Sequence, residues 1–382
     1  MKTKIGKSDV LYYLGIILIS FYSIVLYSSY VREYFPKEVI AALLIGILVL
    51  FFASIILVKW PPKITISLIL VMVIVLMCWK TIEKNILILY FFMIFASYKK
   101  DFFKIQTTIA YTTIAFTMLV IVFSLLGLVP NDVYERGDKT AYCLGFFYYT
   151  TLSYNAFFAS LLLMGKKEIT KVKDRLFAVV GFWAVNFIIY KITTTRLTFL
   201  LSFAVVLIYI YIYRRQKKYS KKIIMLAGLI FPVSTCINYA IASLFNRSNK
   251  ILNLIDVVLG SRIVLAQQGI QKYGITLFGS NIENVNGIVD GHQVYFYVDN
   301  GYINALLTYG IILFMIIIFS YSLLNVYAVK NNYKMLILLC LITCGFCYIN
   351  NVLFAPAINP TLLMTPTVFA DFIKKRKKHL SR

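Results

Sequence analysis

The sequence predicts an all-α polytopic membrane protein with about twelve transmembrane helices and one long extracytoplasmic loop that contains short amphipathic helices. Of its 382 residues, 60% are hydrophobic and only 14% are charged, and the mean hydropathy is +0.81. A soluble domain of this size needs more polar side chains to cover its surface. Apolar runs of about 17 to 25 residues, the helix length that crosses ~30 Å of hydrocarbon, recur along the chain.

Twelve apolar runs are interpreted as spans, nine before the long loop and three after it. Several are short, and the third, fourth and twelfth are candidates for re-entrant segments. In order, the runs cover residues 10–30, 39–58, 64–77, 86–98, 105–128, 144–164, 176–192, 197–213, 223–244, 301–323, 335–354 and 362–373. The chain thus divides into spans within 1–244, a loop at 245–298, spans within 299–373 and a basic tail at 374–382.

The distribution of basic residues predicts the orientation of the spans. If the N-terminus lies inside, the inner segments hold 27 of the 39 Lys and Arg residues. Basic segments resist translocation, so both termini are expected to be cytoplasmic and the 245–298 loop to lie outside. Basic segments beside anionic lipid also account for most of the net charge of +24, which therefore indicates no nucleic-acid partner.

The long loop is predicted to contain two short helices. Residues 250–259 form an amphipathic segment, and Ser261 is expected to cap a second helix that ends at Gly274. The apolar residues of this second helix recur at spacings of three and four, at Ile263, Ala266, Ile270 and Tyr273. Its other face carries polar side chains, including Gln268, that can face solvent or a sugar.

Two arginines are candidate anion-binding residues. Arg262 lies in the first turn of the second loop helix, where a phosphate is a natural partner for the guanidinium and for free backbone N–H groups. Arg196 ends the short polar turn that begins at Lys191. An arginine near hydrocarbon is costly unless it pairs or faces a wet cavity. The alternatives are that Arg262 packs its aliphatic stem and that Arg196 reaches the headgroups.

Polar and aromatic residues cluster where the chain re-enters the membrane, at Asp299, Asn300 and Tyr302. Aromatic rings beside a carboxylate can form a sugar platform, or they can be an interfacial aromatic belt. His292 and Asp299 are the candidates for a general base. The chain has no GxxxxGK[ST], GxGxxG or HExxH motif and only two His residues. Nucleotide-driven pumping and His-bound metal catalysis are not expected, and no cofactor or metal is predicted.

Four motifs together resemble the superfamily of O-antigen and capsular polysaccharide polymerases (Wzy) and O-antigen ligases. They are T-T-T-R-L at 193–197, G-S-R at 260–262, L-F-G-S at 277–280 and V-D-N-G-Y-I-N-A-L-L-T-Y-G-I-I at 298–312. The resemblance covers about residues 193–312, and the upstream spans share only their hydrophobicity. Ser280 stands where the loop motif of the family usually has a second Gly.

The resemblance implies a metal-independent glycosyl transfer at the outer face of the bacterial cytoplasmic membrane. A growing glycan on undecaprenyl diphosphate would be moved onto the non-reducing-end sugar of a newly flipped repeat unit, with release of the carrier diphosphate. Arg196 and Arg262 are then expected to clamp the diphosphate, and His292 or Asp299 to act as the base or to orient the acceptor. The residues expected to contact substrate are Lys191, Gln268, Asn300 and Tyr302.

The partners implied by the resemblance are undecaprenyl-diphosphate-linked oligosaccharides, the bilayer, a chain-length regulator and a flippase. The alternatives are that the protein is itself a flippase for lipid-linked oligosaccharides or a ligase of the same superfamily. A flippase needs no large external loop, and such transporters commonly show two related halves, which are not evident in this sequence. The richness in Ile, Lys, Asn and Tyr suggests an AT-rich genome and a Gram-positive host. Such a host favours a capsule or wall polysaccharide polymerase over a lipid A core ligase.

Overall fold

The computed structural model describes residues 6–136, 139–165, 171–283, 285–289 and 292–380. The structure is predominantly helical. In the described part of the chain, eight helical segments are long and apolar enough to cross a membrane. They are Lys7–Leu26, Lys37–Ile56, Pro62–Ile82, Phe102–Leu125, Val172–Thr193, Arg196–Arg214, Lys221–Ser243 and Gly301–Lys330.

Fourteen α-helices follow one another in these residues. They are α1 (Lys7–Phe21), α2 (Lys37–Ile56), α3 (Pro62–Ile82), α4 (Ile86–Ala96), α5 (Phe102–Leu125), α6 (Tyr149–Met164), α7 (Val172–Thr193), α8 (Arg196–Arg214), α9 (Lys221–Ser243), α10 (Lys250–Val258), α11 (Arg262–Tyr273), α12 (Gly301–Lys330), α13 (Lys334–Phe346) and α14 (Thr365–Leu380). A π-helical turn, Tyr22–Leu26, extends α1.

Each of the twelve predicted spans overlaps a helix, but the count of twelve is not confirmed. The structure contains eight helices of spanning length and composition, while α4, α13 and the segment Pro360–Ile373 are shorter apolar helices of 10–17 residues. At 1.5 Å per residue, the 11 residues of α4 measure about 16 Å, roughly half the thickness of the hydrocarbon layer. The prediction of twelve full-length spans is therefore supported only for the eight longer helices.

Two short β-hairpins, which the sequence did not predict, accompany the predominantly helical fold. Strand β1 (Val133–Arg136) pairs with β2 (Lys139–Tyr142), and β3 (Val285–Val289) pairs with β4 (His292–Phe296), both antiparallel. The second hairpin lies inside the long loop, where only helices were expected. Its sequence places Asp-Gly at 290–291, outside the described residues, between segments that contain β-branched and aromatic residues. That combination is a strong hairpin signal.

The chain forms two compact units. The first comprises Met1–Trp60, Phe92–Arg215 and Pro356–Thr367, and the second comprises Pro61–Phe91, Gln216–Ala355 and Val368–Arg382.

In the first unit, α5 packs against α1 and α6, and α6 packs against α7. The ammonium of Lys100 is 2.7 Å from a carboxylate oxygen of Asp9, and only 3% of the Lys100 side chain is exposed. A buried charge needs such a partner.

In the second unit, α12 packs along α9, and α11 lies against both helices. The shared apolar core includes Leu265 and Ala266 of α11 and Ile303 and Leu307 of α12. A Cβ added at Gly269 of α11 would lie 2.9 Å from a methyl group of Val298. The loop helix α11 is therefore packed into the helical core rather than standing free in solvent.

The long helix α12 is broken at Gly310, whose φ of 72° and ψ of 166° are not helical. A break in a helix leaves backbone N–H and C=O groups without their usual partners, which is costly at membrane depth. The extended segment 276–280 pairs with these groups. The N–H of Ser280 donates to the Leu307 carbonyl (2.9 Å), that of Ile311 to Thr276 (3.0 Å) and that of Ile312 to Leu277 (3.3 Å).

Two glycines permit this pairing because the two backbones nearly touch. A Cβ on Gly279 would lie 1.9 Å from the Thr308 carbonyl oxygen, and one on Gly310 would lie 2.3 Å from the Gly279 nitrogen. Both residues also have a positive φ, which side chains other than hydrogen disfavour. From α3, the Thr81 hydroxyl donates to the Phe278 carbonyl at 2.8 Å. The segment 276–280 is therefore hydrogen-bonded to both α12 and α3.

We predict that Gly279→Ala or Gly310→Ala lowers the stability of the protein by ~3 kcal/mol or more, because positive-φ strain of about 1–3 kcal/mol adds to the steric overlap. The matched control is Gly46→Ala in the interior of α2, where a Cβ meets nothing within 4 Å and the change should be neutral or stabilising by up to about 1 kcal/mol. Thermal unfolding in detergent measures the difference. A Gly279→Ala protein that melts with the Gly46→Ala control would contradict the close approach.

Candidate functional site

The junction between α10 and α11 is built around a buried aspartate. The two helices meet at a bend of 103°, where Gly260 and Ser261 both have a positive φ. Ser261 makes no side-chain capping hydrogen bond. Instead, Oδ1 of Asp256 accepts hydrogen bonds from the N–H groups of Ile263 (2.8 Å) and Val264 (3.2 Å). The prediction that Ser261 caps this helix is therefore wrong, and Asp256 is the cap.

This cap changes the anion-binding expectation for the start of α11. The sequence suggested that free N–H groups there would bind a phosphate together with Arg262. In the structure, the carboxylate of Asp256 already accepts two of these N–H groups and is favourably placed in the field of the helix dipole. Phosphate recognition in this region would therefore depend on side chains.

The Arg262 guanidinium contacts three groups of the second unit. Its Nε donates to the Ile349 carbonyl at 2.6 Å, and its Nη1 donates to the Leu259 carbonyl at 2.7 Å. Its Nη2 lies 3.6 Å from Oδ2 of Asp299. These contacts fix the orientation of the guanidinium plane. A guanidinium has five N–H groups, so donors remain for a further acceptor.

Asp299 is the carboxylate that Arg262 meets, although the sequence assigned the two residues to separate roles. The side chains of Arg262 and Asp299 are 17% and 30% exposed. Burial raises the pKa of the Asp299 carboxyl above its ordinary value, and the positive charge of Arg262 opposes that rise. A carboxyl group with a raised pKa takes up a proton more readily than an ordinary aspartate, as a general base needs to do.

Asn300 and Tyr302 have structural roles at the start of α12. Oδ1 of Asn300 caps the helix by accepting from the N–H groups of Tyr302 (3.1 Å) and Ile303 (3.2 Å), and its Nδ2 donates to Asn238 of α9 at 2.7 Å. The Tyr302 ring is fully buried, and its hydroxyl donates to the Cys344 carbonyl at 3.1 Å. Tyr302 is therefore packed against α13 and is not an exposed sugar platform.

A cluster of uncharged polar side chains follows in the next turns of α12. Oδ1 of Asn304 accepts from Asn351 at 2.7 Å and from the Thr308 hydroxyl at 3.3 Å. The Nδ2 of Asn304 donates to the Val298 carbonyl at 2.8 Å. Asn351 is exposed, and Asn304 is partly exposed. The cluster presents amide groups that can exchange hydrogen bonds with hydroxyl groups.

The remaining candidates of the long loop lie on its exposed side or outside the described residues. Gln268 is exposed on α11, and the ammonium of its neighbour Lys272 lies 5.1 Å from the ring centroid of Tyr273. His292 begins β4, but its side chain is not among the described ones. The acidic residue Asp290, which the sequence placed near it, lies outside the described residues altogether.

Lys191 and Arg196 belong to the first unit, at the turn between α7 and α8. Thr194 has a positive φ and ends α7, and Arg196 is exposed at the start of α8. The turn is held by hydroxyl contacts: Thr195 lies 2.8 Å from Thr193 and 2.8 Å from Ser153 of α6. The polar Thr residues of this motif are thus buried and structural, whereas the two cations are exposed.

The structure brings Arg262 and Asp299 together, with Asn300 and Tyr302 in the adjoining turn. Lys191 and Arg196 belong to the other unit. Sequence reasoning missed several residues that build the site, namely Asp256, Asn238, Asn304 and Asn351. A signal existed for Asn238, which is a polar residue inside an apolar span, and for Asp256, which is the one acid in the amphipathic helix α10.

Comparison of the chain with models of protein families, with curated proteins and with solved structures finds no match. The class of the protein is therefore defined by its own structure: it is a predominantly helical protein whose described residues include eight candidate membrane spans.

We predict that Asp256→Ala destabilises the start of α11 by about 1–2 kcal/mol, since it removes an acceptor of two N–H groups. The amides of Ile263 and Val264 should then exchange with deuterium several-fold faster. Ser261→Ala is the matched control, and it should leave their exchange unchanged. Faster exchange in the Ser261 variant together with wild-type exchange in the Asp256 variant would show that the cap is Ser261 after all. Hydrogen exchange with mass spectrometry of the α11 peptides makes the measurement.

Proposed function

We propose that this protein is a polysaccharide polymerase that joins undecaprenyl-diphosphate-linked oligosaccharide repeat units and releases undecaprenyl diphosphate. The observation that carries the proposal is the partly exposed pair of Arg262 and Asp299, 3.6 Å apart, at the point where the long loop leads into α12. A transfer from a diphosphate leaving group to a hydroxyl group needs a cation near the departing charge and a base near the attacking group. This pair supplies one of each.

In the proposed reaction, Asp299 accepts the proton and Arg262 stabilises the leaving group. An acceptor hydroxyl oxygen bonds to the anomeric carbon of the donor glycan, and the bond from that carbon to the diphosphate oxygen breaks with its electrons leaving on the diphosphate. The proton of the hydroxyl passes to the carboxylate of Asp299. The remaining N–H donors of Arg262 stabilise the charge on the diphosphate, as planar guanidinium groups do for phosphate oxygens.

The surroundings of Asp299 support its role as the base. Burial raises the pKa of its carboxyl, so its carboxylate accepts a proton more readily than an exposed aspartate does. Asn351 and Asn304 lie in the adjoining polar cluster and provide amides that can orient sugar hydroxyls. His292, on the hairpin of the same loop, is the second candidate for the base.

The cations of the first unit are the other part of the proposal. Arg196 and Lys191 are exposed at one turn and can contact phosphate or headgroup oxygens. The positions of Lys and Arg along the sequence support an outer location for the long loop and a cytoplasmic location for both termini, in a bacterial cytoplasmic membrane. Lipid-linked oligosaccharides, a flippase and a chain-length regulator are the proposed partners.

Arg262→Lys and Arg196→Lys test this assignment. Lysine keeps the charge but loses the guanidinium fork, so each variant should make at least about tenfold less polymer than wild type. Arg247→Lys is the matched control, because Arg247 is an exposed arginine of the same loop and should tolerate the change. Polymer is measured by gel analysis of surface glycan, with the amount of folded protein measured alongside. Wild-type polymer in both test variants would refute the assignment.

A further inference from the structure

The exposed side of α10 is apolar, although this helix lies in the most polar stretch of the chain. Ile251, Leu254, Val257 and Val258 are 71%, 65%, 67% and 62% exposed. Their spacing places them toward one side of the helix. The buried residue of α10 is the charged Asp256. The helix therefore differs from one on a water-soluble surface, because its carboxylate is buried and four of its large apolar side chains are exposed.

The helix that precedes α10 in the sequence, α9, is of spanning length and carries an exposed apolar stripe. Seven large apolar residues of α9 are exposed. Four of them recur at spacings of three and four, as expected for one face of a helix, namely Leu226, Leu229, Val233 and Ile237. Leu244, 73% exposed, extends the same stripe by two turns, and α10 begins six residues later. A stripe of this kind on a membrane span is suited to contact with acyl chains.

We propose that α10 lies in the interface of the membrane that α9 spans, with its apolar side in the acyl-chain region, and that it anchors the long loop to the bilayer. The partner is the lipid surface, because α10 begins only six residues after Leu244, where the exposed apolar stripe that starts on the candidate span α9 ends. Arg247 and Lys250, which flank the start of α10, are exposed and reach the headgroup phosphates.

The anchor also determines where the neighbouring site lies. Asp256, on the inner side of α10, caps the first turn of α11, and the Leu259 carbonyl at the end of α10 accepts from Arg262. A helix held in the interface on one side thus holds the guanidinium of Arg262 close to headgroup depth on the other. This inference concerns the position of α10 and does not rest on the proposed polymerase activity.

Spin labelling tests the position of α10. Leu254→Cys is labelled in a Cys236→Ser background, because Cys236 is the exposed one of the six cysteines, and the protein is placed in nanodiscs of phosphatidylcholine and phosphatidylglycerol. Collision rates are measured with oxygen, which concentrates in acyl chains, and with a water-soluble nickel chelate. The label at 254 should favour oxygen over nickel at least several-fold. Asn253→Cys, an exposed polar position about 100° around the helix from Leu254, should show a lower ratio of oxygen to nickel collisions.

Two results would overturn the proposal. A label at 254 that collides freely with the nickel chelate would place α10 in water, and a label protected from both reagents would mean that protein, such as a second copy of this chain, covers it. Ile251→Cys, on the same apolar side, is measured in parallel so that a poorly expressed variant leaves the outcome decided. Cys236→Ser protein without an added cysteine should take up little label, which controls for the buried cysteines.

Discussion

The second unit depends on the contact of two backbones at Gly279 and Gly310. Helix α12 cannot be broken at membrane depth unless its freed N–H and C=O groups find partners, and the segment 276–280 provides them through three hydrogen bonds. That pairing needs the two backbone segments to approach more closely than any side chain allows, since a Cβ at Gly279 would lie 1.9 Å from the carbonyl oxygen of Thr308. The two glycines therefore make the break possible and bind the loop to it.

A series of contacts connects this pairing to the candidate site. The docked segment follows α11 directly, so its attachment to α12 fixes the C-terminal end of α11. Asp256 fixes the other end, which presents Arg262. The first part of α12, before the break, begins at its cap Asn300, and Asp299 is the residue before that cap. The ion pair between Arg262 and Asp299 then connects the start of α11 with the start of α12.

The helices were predictable from the sequence because apolar runs of membrane length are unambiguous, and the caps at Asn300 and Asn249 lie where residue type favours them. The number of full-length spans was not predictable, since α4 and α13 are as apolar as spans but too short. Ser261 was a reasonable cap by position, but its left-handed φ moves its side chain away from the first turn and leaves the role to Asp256.

The sequence predicted some residues of the candidate site but not the contacts between them. Arg262 and Asp299 were both singled out, but their pairing depends on long-range packing between α11 and α12, which no local pattern encodes. Tyr302 looked like an exposed aromatic residue, and it is buried because α13 packs over the start of α12. The Asp-Gly pair between β3 and β4 is a local signal for a hairpin, although only helices were predicted in this loop.

The size and sidedness of lipid-linked saccharides in cells that lack this protein test the proposed function most directly. A membrane-impermeant probe is applied to intact cells, and the saccharides that it modifies are sized. A polymerase predicts that single lipid-linked repeat units accumulate on the outer face. Single units trapped inside would contradict this account and indicate a flippase, and long polymer still attached to its lipid carrier would contradict it in favour of a ligase.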